Sequence, residues 1–365
     1  MPSSLPIPPR ASFEPVLPAD PNLLNVADYE RVAAERLAPG PLAYFLGGAD
    51  DERTLADNRS AFARRRIVPR VMRDVSSVDH SVDVLGRLWS WPLFVCPTAL
   101  NRMAHPDGEL AVARAAAARG ITYTLSTSAS TDLADVAALG GPRWFQVYLL
   151  ADPGARRALV ERAVAHGYEA LVLTVDVPRL GRRERDLRVG FTIPEGVELP
   201  NVGLAAGVAP ADAASVAFLD RLTWTDLEWL AGFGLPVVVK GILHPDDARL
   251  AIEHGAAAIQ VSNHGGRQLD AAIASLDALT PIVEAVAGEV PVLLDGGVRR
   301  GTDAVMALAL GATAVGIGRP IIWGLAVDGE AGVGNVLDLL TVELDLAMAL
   351  SGAASVADLT PELLA

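Results

Sequence analysis

An eightfold alternation of short β-branched runs with longer alanine-rich segments, beginning near residue 91, constrains the fold more than any other feature of this chain. Such alternation is typical of βα units arranged around a parallel sheet. The predicted strands cover residues 92–98, 121–127, 144–150, 170–176, 236–241, 258–264, 291–297 and 314–320.

The segments between these strands have the apolar spacing of amphipathic helices, and several end in glycine, as at 109–120, 156–167, 246–255 and 301–311. With a final helix predicted near 333–350, the simplest interpretation is an α/β fold of the closed (β/α)8 TIM barrel type. An open doubly wound sheet is the alternative, but no G-x-G-x-x-G follows its first strand.

Three segments lie outside the regular repeat. Residues 1–22 are proline-rich and lack the basic and apolar regions of a signal peptide, so we predict a surface arm followed by one domain over 23–365. Residues 28–47 are predicted to form a helical extension packed on the barrel. The stretch 186–222, between the fourth and fifth strands, is too long for an ordinary loop and indicates a functional lid or a mobile segment.

Composition excludes several classes of protein. The net charge of −14 argues against nucleic-acid or anionic-membrane partners, although the basic run 182–188 could bind a small anion. The apolar stretches are too short or too interrupted to span a membrane. The single cysteine, Cys96, provides neither a disulfide nor a metal site, and no histidine pairing suggests a metal, so we expect a metal-free cytoplasmic protein.

Polar residues end nearly every predicted strand. The carboxyl ends of the strands carry the active site in enzymes of this fold, so their density favours an enzyme over a structural or binding protein. The strand-end residues are Pro97, Thr98, Ala99, Ser126, Gln146, Tyr148, Thr174, Asp176, Lys240, Ser262, Asn263 and His264.

The glycine-rich turns after the last two strands predict a phosphate site. Glycine lets backbone N–H groups approach a phosphate, and arginine neutralises it. Gly297 and Arg299 lie in one turn, and Gly318 and Arg319 in the other. The alternative is that the glycines serve only to make tight turns.

His264 and Arg267 lie three residues apart after the sixth strand. Histidine suits proton abstraction near neutral pH, and arginine matches a carboxylate with two parallel hydrogen bonds. Together they predict a proton taken from a group next to a carboxylate, with Arg183 as a second clamp and Asp176 as the partner of the histidine. Taken singly, each residue also has a structural interpretation as a core histidine, a helix cap or a solvated arginine.

Lys240, at the end of the fifth strand, leaves three interpretations open: a Schiff-base lysine, an ion-paired lysine, or a cation beside a flavin ring.

Six segments of the chain resemble the family of FMN-dependent 2-hydroxy-acid oxidases and dehydrogenases, which includes glycolate, lactate and mandelate oxidases. They are PTALNRMAHPDGE, TVDVPRLGRRERD, VVVKGI, VSNHGGRQLD, LLDGGVRRGTD and GIGRP. The similarity runs from about Asn25 to Ser355. It implies oxidation of an (S)-2-hydroxy acid to a 2-oxo acid with bound FMN, oxygen as the favoured acceptor giving hydrogen peroxide, and a homotetramer.

The resemblance also implies a role for each site residue. His264 would be the general base with Asp176 as its partner, while Arg183, Arg267, Tyr148 and Tyr44 would bind the substrate. Lys240 would lie near flavin N1. The other flavin and ribityl contacts would be Pro97, Thr98, Ala99, Ser126, Gln146, Thr174 and Ser262. The ribityl tail and phosphate would be held by Asp295, Gly297, Arg299, Gly318 and Arg319.

One position departs from the family pattern, because Ser128 stands where glycolate oxidases have a tryptophan. Loss of an indole opens a small pocket, so we expect a substrate larger than glycolate, mandelate-like or of medium chain length.

Several alternatives remain: another electron acceptor, a monooxygenase outcome like that of lactate monooxygenase, an FMN-dependent isomerase, or a flavin-binding barrel without activity. The base with two arginines argues against an isomerase. The full set of site residues argues against an inactive barrel.

Overall fold

The computed structural model describes residues 22–365, so the predicted arm lies, apart from Asn22, outside the described residues. The strands are β1 (Val82–Val84), β2 (Arg87–Trp89), β3 (Leu93–Val95), β4 (Thr122–Ser126), β5 (Arg143–Val147), β6 (Leu171–Thr174), β7 (Val237–Ile242), β8 (Ala258–Val261), β9 (Val292–Asp295) and β10 (Ala314–Ile317). The helices are α1 (Val26–Arg36), α2 (Pro39–Leu46), α3 (Arg53–Ala63), α4 (Gly108–Ala117), α5 (Leu133–Ala138), α6 (Pro153–Ala165), α7 (Glu184–Arg188), α8 (Pro200–Ala206), α9 (Trp224–Ala231), α10 (Pro245–Glu253), α11 (Ser275–Val286), α12 (Gly301–Ala309) and α13 (Arg319–Ser351).

Strands β3 to β10 form a closed barrel in chain order, in which every neighbouring pair is parallel and β10 pairs with β3. Each of the eight predicted strands contributes one barrel strand, and helices connect the strands. The predicted (β/α)8 barrel is therefore confirmed, and the doubly wound alternative is wrong.

Strand periodicity explains why polar groups gather at one end of the barrel. Alternate side chains of a barrel strand point inward. One apolar residue of each of five strands packs into a cluster inside the barrel, namely Phe94, Trp144, Val172, Val238 and Leu293. The residue two positions further along the chain in each case lines a cavity at the carboxyl end of the barrel. These residues are Gln146, Thr174, Lys240, Asp295 and Cys96, of which Cys96 follows β3 and also belongs to the apolar cluster.

The hairpin of β1 and β2 closes the other end of the barrel and was not predicted. Its Trp89 packs against Trp144, with ring centroids 5.3 Å apart. The turn residues Leu85 and Gly86 both have positive φ, as a two-residue type I′ turn requires. Leucine is unusual in that conformation, so the sequence carried no turn signal here.

The predicted helical extension at 28–47 is confirmed, but it consists of two helices. Pro39 occupies the first position of α2, where its fixed φ favours a new helix. Tyr44 therefore lies within α2, the second helix of this extension.

The 186–222 segment folds as part of α7, α8 and a 3-10 turn at Pro210–Ser215. Its end is bonded to the chain beyond β5, because the Leu219 amide donates to the Leu149 carbonyl at 2.7 Å and the Ala151 amide donates to the Ala217 carbonyl at 2.9 Å. The segment is therefore an ordered wall beside the carboxyl end of β5.

The last helix begins earlier than predicted. It runs over Arg319–Ser351 and is kinked at Asp328 and Gly329, whose backbone angles are not helical. Within residues 22–365, no helix is both long and apolar enough to cross a membrane.

Candidate active site

A cavity of about 440 Å³ lies at the carboxyl ends of the barrel strands. Most of the residues predicted for the site line it. They are Tyr44, Pro97, Thr98, Ala99, Ser126, Ser128, Gln146, Tyr148, Thr174, Arg183, Lys240, His264, Arg267, Asp295, Gly297, Arg299, Gly318 and Arg319. Asp176 and Ser262 lie behind this wall.

His264 and Asp176 form the pair that the sequence predicted. The imidazole Nδ1 lies 3.0 Å from a carboxylate oxygen of Asp176, and both side chains are largely buried. An ionised carboxylate only accepts hydrogen bonds, so Nδ1 carries the proton and Nε2 keeps a free lone pair. Gly241 makes room for this pair, since a Cβ there would lie 2.8 Å from the Asp176 side chain.

Burial, together with the nearby cations, keeps the His264 imidazole neutral. Burial and the Lys240 ammonium lower its pKa, the Asp176 carboxylate raises it, and Arg267 lowers it further; the net shift is downward. Burial raises the pKa of Asp176, but His264 and Lys240 outweigh burial and bring it below its ordinary value. At neutral pH the pair is therefore a neutral base beside a carboxylate.

The turn that carries His264 is strained. His264 has a φ of 57°, in the left-handed region, and two glycines with positive φ follow it. A Cβ on Gly266 would lie 2.5 Å from the Leu55 amide nitrogen, so only glycine fits against α3 there. Backbone strain of this kind costs about 1–3 kcal/mol and is concentrated at functional sites.

Two arginines and Tyr44 form one corner of the cavity, which we name the arginine corner. The guanidinium carbons of Arg267 and Arg183 lie 4.8 and 5.9 Å from the centre of the Tyr44 ring. Arg267 donates to the backbone carbonyls of Tyr44 and Gly47, at the carboxyl end of α2. Burial and the nearby Arg183 charge lower the pKa of Arg267 to about 10, so an anion in this corner would be strongly favoured.

Tyr148 follows β5 and completes this side of the cavity. Burial, followed by the Asp176 and Tyr44 groups, raises its pKa, so the hydroxyl stays protonated and available as a hydrogen-bond donor. Its ring packs edge-on against Phe218, with centroids 5.5 Å apart. The 186–222 segment therefore reaches the predicted substrate side of the cavity.

Lys240 is 4% exposed and lines the cavity floor. Its ammonium forms no hydrogen bond or ion pair within the part of the chain that the structure describes. Burial lowers its pKa, but the Asp295 and Asp176 carboxylates outweigh burial, so the pKa is raised and the lysine stays charged. A permanent, unpaired cation fits a group that becomes negative, as the pyrimidine end of a flavin does on reduction.

Asp295 and Ser262 differ in their access to the cavity. Asp295 accepts hydrogen bonds from Ser262 Oγ at 2.9 Å and from Gln260 Nε2 at 2.6 Å. Ser262 is fully buried, and its hydroxyl also accepts from the His264 amide. The sequence analysis counted Ser262 as a cofactor contact, whereas the structure places it one layer behind, where it orients Asp295 and the His264 backbone.

Gln146 offers an unused donor to the cavity. Its Oε1 accepts from Ser126 Oγ and the Thr127 amide, while its Nε2 is buried without a partner among the described residues. Unpaired buried donors are rare, because each costs about 1–3 kcal/mol. A flavin carbonyl in this position would satisfy it.

The predicted phosphate end holds two buried guanidiniums. Burial lowers the pKa of Arg299 to about 10, and burial with the Arg267 and Arg299 charges lowers the pKa of Arg319 well below its ordinary value. Arg299 Nε has no partner in the described chain, while Arg319 donates to three backbone carbonyls, those of Phe45, Gly47 and Gly265. Clustered buried cations of this kind fit a dianionic phosphate.

Packing explains Gly297 without any phosphate, since a Cβ there would lie 2.1 Å from the Asn58 carbonyl oxygen. Its φ of 88° independently favours glycine. Packing and backbone conformation alone therefore require glycine at 297, and binding of a phosphate by its amide stays a prediction. Gly318 differs, because the atom nearest to a Cβ there would be Cys96 Cβ, at 3.8 Å.

Three residues near the site were missed by the sequence analysis. Gln268 donates from Nε2 to the Asp176 and Arg179 carbonyls and thereby joins the loops after β6 and β8. It follows Arg267 directly in a motif already identified, so the position was available. Phe191 and Phe218 come from the 186–222 segment and had no local signal.

Comparison with known proteins shows similarity over nearly the whole chain. A family model described as FMN-dependent dehydrogenase matches residues 33–365. An L-lactate oxidase of Nostoc sp. is 49% identical over 351 residues, which cover 92% of this chain and 96% of the relative. Glycolate oxidase 1 of Oryza sativa subsp. indica is 47% identical over 348 residues, 93% of this chain and 94% of the relative.

Among solved structures, a crystal structure of mandelate oxidase with (S)-4-hydroxymandelic acid superposes with a TM-score of 0.88 at 43% sequence identity. The match covers 94% of this chain and 98% of that one. Sequence and structural similarity therefore extend over the barrel and every strand end that lines the cavity.

Proposed function

Because this chain belongs to the FMN-dependent dehydrogenase family, we propose that it oxidises an (S)-2-hydroxy acid to the corresponding 2-oxo acid and that oxygen reoxidises the cofactor. The observation that supports the proposal best is the neutral base His264, paired with Asp176, in the same cavity as the arginine corner. A base beside a carboxylate clamp suits a substrate that carries its reacting C–H and O–H groups next to a carboxylate.

The arginine corner, His264 with Asp176, and Tyr148 would each have a separate role in the reaction. Arg267 and Arg183 bind the substrate carboxylate and so fix the reacting carbon near His264. His264 Nε2 takes a proton from the substrate, and the Asp176 carboxylate stabilises the imidazolium through Nδ1. Tyr148 donates its hydroxyl hydrogen to a substrate oxygen.

FMN would occupy the inner part of the cavity. Lys240 and Gln146 would face its ring, Asp295 its ribityl chain, and Arg299 and Arg319 its phosphate. When bound, FMN accepts the two electrons that leave the substrate. The cytoplasmic location and the tetrameric assembly stay predictions from the sequence.

Anaerobic titration tests this function. We expect purified protein with its bound FMN to lose its visible flavin absorbance when an (S)-2-hydroxy acid is added without oxygen. Admission of air should restore the absorbance and produce one hydrogen peroxide for each substrate oxidised. Reduction without peroxide would favour a different electron acceptor or a monooxygenase outcome, and no reduction by any 2-hydroxy acid would contradict the proposal.

The 186–222 segment contributes a largely apolar part of the cavity lining, which supports a substrate larger than glycolate. Its lining residues are Ile193, Leu199, Phe218, Leu219 and Leu222, with one acidic residue, Asp220, and Ser128 lines the same cavity. An aliphatic or aromatic side chain would gain about 0.8 kcal/mol for each methylene that it buries there.

We therefore expect (S)-mandelate or 2-hydroxyoctanoate to exceed glycolate in kcat/KM. The Ser128→Trp variant should reverse this order, because an indole would fill the space that the larger side chains need. Stopped-flow measurement of flavin reduction by glycolate, lactate, mandelate and 2-hydroxyoctanoate gives the comparison.

Ser128→Ala is the matched control for Ser128→Trp, since it removes the hydroxyl without filling the pocket and should keep the preference for large acids. The size argument is wrong if glycolate is the best substrate of the wild type. It is also wrong if the tryptophan variant keeps the wild-type order.

A further inference from the structure

The ring of Tyr44 contacts more than the arginine corner. Phe191 stacks on it, with ring centroids 5.1 Å apart and an angle of 28° between the planes. The same Tyr44 ring lies 4.8 Å from the Arg267 guanidinium, and the Tyr44 carbonyl accepts a hydrogen bond from that arginine. Phe191 is therefore one side chain away from the proposed carboxylate site.

The position of Phe191 is fixed by contacts between two parts of the chain that are far apart in sequence. The Asp50 amide donates to the Arg182 carbonyl at 2.9 Å, and Arg185 of α7 pairs with Glu52 at 2.5 Å. These contacts fasten the loop after β6 to the turn between α2 and α3. The absence of a side chain at Gly40 admits the ring, since a Cβ there would lie 3.3 Å from Phe191.

Besides the two arginines and the edge of the core, the Tyr44 ring has few contacts that fix its angle through a second ring. It lies in the last turn of α2, is only half-buried, and its aromatic neighbours within the described chain are Phe45, met edge-on, and Phe191. Phe45 is the adjacent residue and so moves with α2. In the described part of the chain, Phe191 is the one aromatic side chain that connects the Tyr44 ring to a separate element.

The carboxylate of Asp186 on α7 gives a second link between the segment that carries Phe191 and the arginine corner. Arg183 and Arg267 are like charges in one partly buried corner. Burial raises the pKa of Asp186 on α7 overall, and Arg267 and Arg183 oppose that shift. One Asp186 oxygen is buried with no hydrogen bond among the described residues. Asp186 of α7 therefore faces the charges of the arginine corner, and Phe191, whose amide donates to the Asp186 carbonyl at 2.9 Å, contacts its ring.

We propose that Phe191 is a positioning residue for the substrate carboxylate, which acts by holding the Tyr44 ring against Arg183 and Arg267. This inference rests on the proposed function, because it takes the arginine corner to be the carboxylate site. Without the Phe191 ring to stack on, the Tyr44 ring rotates away. Arg183 and Arg267 then lose the aromatic face that fixes the positions of their guanidinium groups.

The expected effect is on binding rather than on the chemical step. In Phe191→Leu, which keeps an apolar side chain without a ring, the KM for the 2-hydroxy acid and the Kd for oxalate should rise about tenfold. The kcat should stay within about twofold of wild type, since His264 and Asp176 do not contact Phe191. Oxalate binding is measured by the change in the flavin absorbance spectrum and needs no turnover.

Two variants separate ring stacking from a general packing defect. Phe191→Tyr keeps the ring and should bind oxalate as the wild type does. Phe233→Ala removes a comparably half-buried ring that packs edge-on against Trp229 and does not line the cavity, and it should change neither Kd nor KM. Bound FMN content checks the fold of each variant, and Phe191→Met replaces Phe191→Leu if the leucine variant loses its flavin.

The inference is overturned if the non-aromatic variants bind oxalate as tightly as wild type does. It is also overturned if Phe191→Tyr and Phe233→Ala weaken oxalate binding as much as Phe191→Leu does. It is also overturned if wild type binds no oxalate. Wild-type protein that binds oxalate but is reduced by no 2-hydroxy acid would instead contradict the proposed function, while the Phe191 comparison would still decide the positioning role.

Discussion

Replacement of His264 by alanine is expected to slow flavin reduction at saturating 2-hydroxy acid by about 10²–10⁴, the range for a lost general base. FMN should stay bound, because the predicted phosphate and ring contacts come from other strands. Within residues 22–365 the His264 imidazole is the one histidine side chain that lines the cavity, and its Nε2 carries the free lone pair. Stopped-flow absorbance under anaerobic conditions measures the rate directly.

His254→Ala is the matched control for His264→Ala. His254 pairs with Glu228 near the protein surface and does not line the cavity, so its loss should leave the reduction rate unchanged. Near-normal reduction in the His264 variant would remove that residue from the mechanism.

The pH profile of the wild type checks the same assignment. Neutral imidazole is the active form, and burial with Lys240 and Arg267 lowers the His264 pKa against the opposing effect of Asp176. The kcat/KM should therefore stay level as the pH falls through the ordinary histidine range and decline only below it. Asp176→Asn removes the carboxylate that raises the His264 pKa. The kcat/KM of this variant should therefore decline at a still lower pH than that of wild type, and its plateau value should be lower. A wild-type decline above the ordinary histidine range would contradict this assignment.

Arg267→Lys is expected to lower kcat/KM by about 10², the loss that follows from about 2–3 kcal/mol at a buried charged contact. An ammonium cannot reproduce the planar fork that binds both carboxylate oxygens. If an ammonium donated to the Tyr44 and Gly47 carbonyls it would keep one N–H for the substrate, whereas the guanidinium, which donates to both from Nη1, keeps three. Steady-state kinetics with the best 2-hydroxy acid gives the measurement.

Arg182→Lys is the control, since Arg182 lies in the loop of Arg183 but is exposed and pairs with Glu184. Its kcat/KM should match wild type. A kcat/KM for Arg267→Lys within threefold of wild type would contradict its role as a carboxylate clamp. The bound FMN content of Arg267→Lys should be measured alongside its kinetics. The Gly47 carbonyl accepts hydrogen bonds from both Arg267 and Arg319 and so joins the predicted substrate and phosphate ends of the cavity.

The sequence determined the barrel and the inward-facing part of the site. Strand periodicity of two residues and the common direction of parallel strands are local properties, so they place Gln146, Thr174 and Lys240 at one end of the barrel without any knowledge of packing. The motif after β8 placed His264 and Arg267 in the same way. The pairing of His264 with Asp176 followed because their strands end at the same face.

Tertiary structure decided what periodicity does not encode. Tyr44 enters the site from a helix outside the barrel, and Phe191 and Phe218 enter from the irregular 186–222 segment. Their positions depend on contacts between residues far apart in sequence, which no local pattern specifies. The same holds for Ser262, which the strand pattern placed at the site and which packing puts behind Asp295.

Electrostatics shows the same division. Residue types predicted a base, two clamps and a buried lysine, but the neutral state of His264 and the charged state of Lys240 depend on burial and on the distances to neighbouring charges. Those quantities exist only once the chain has folded, because desolvation and Coulomb interactions depend on the surrounding three-dimensional arrangement. The sequence thus determined which groups meet at the barrel mouth, and the fold decided their protonation and which of them reach the cavity.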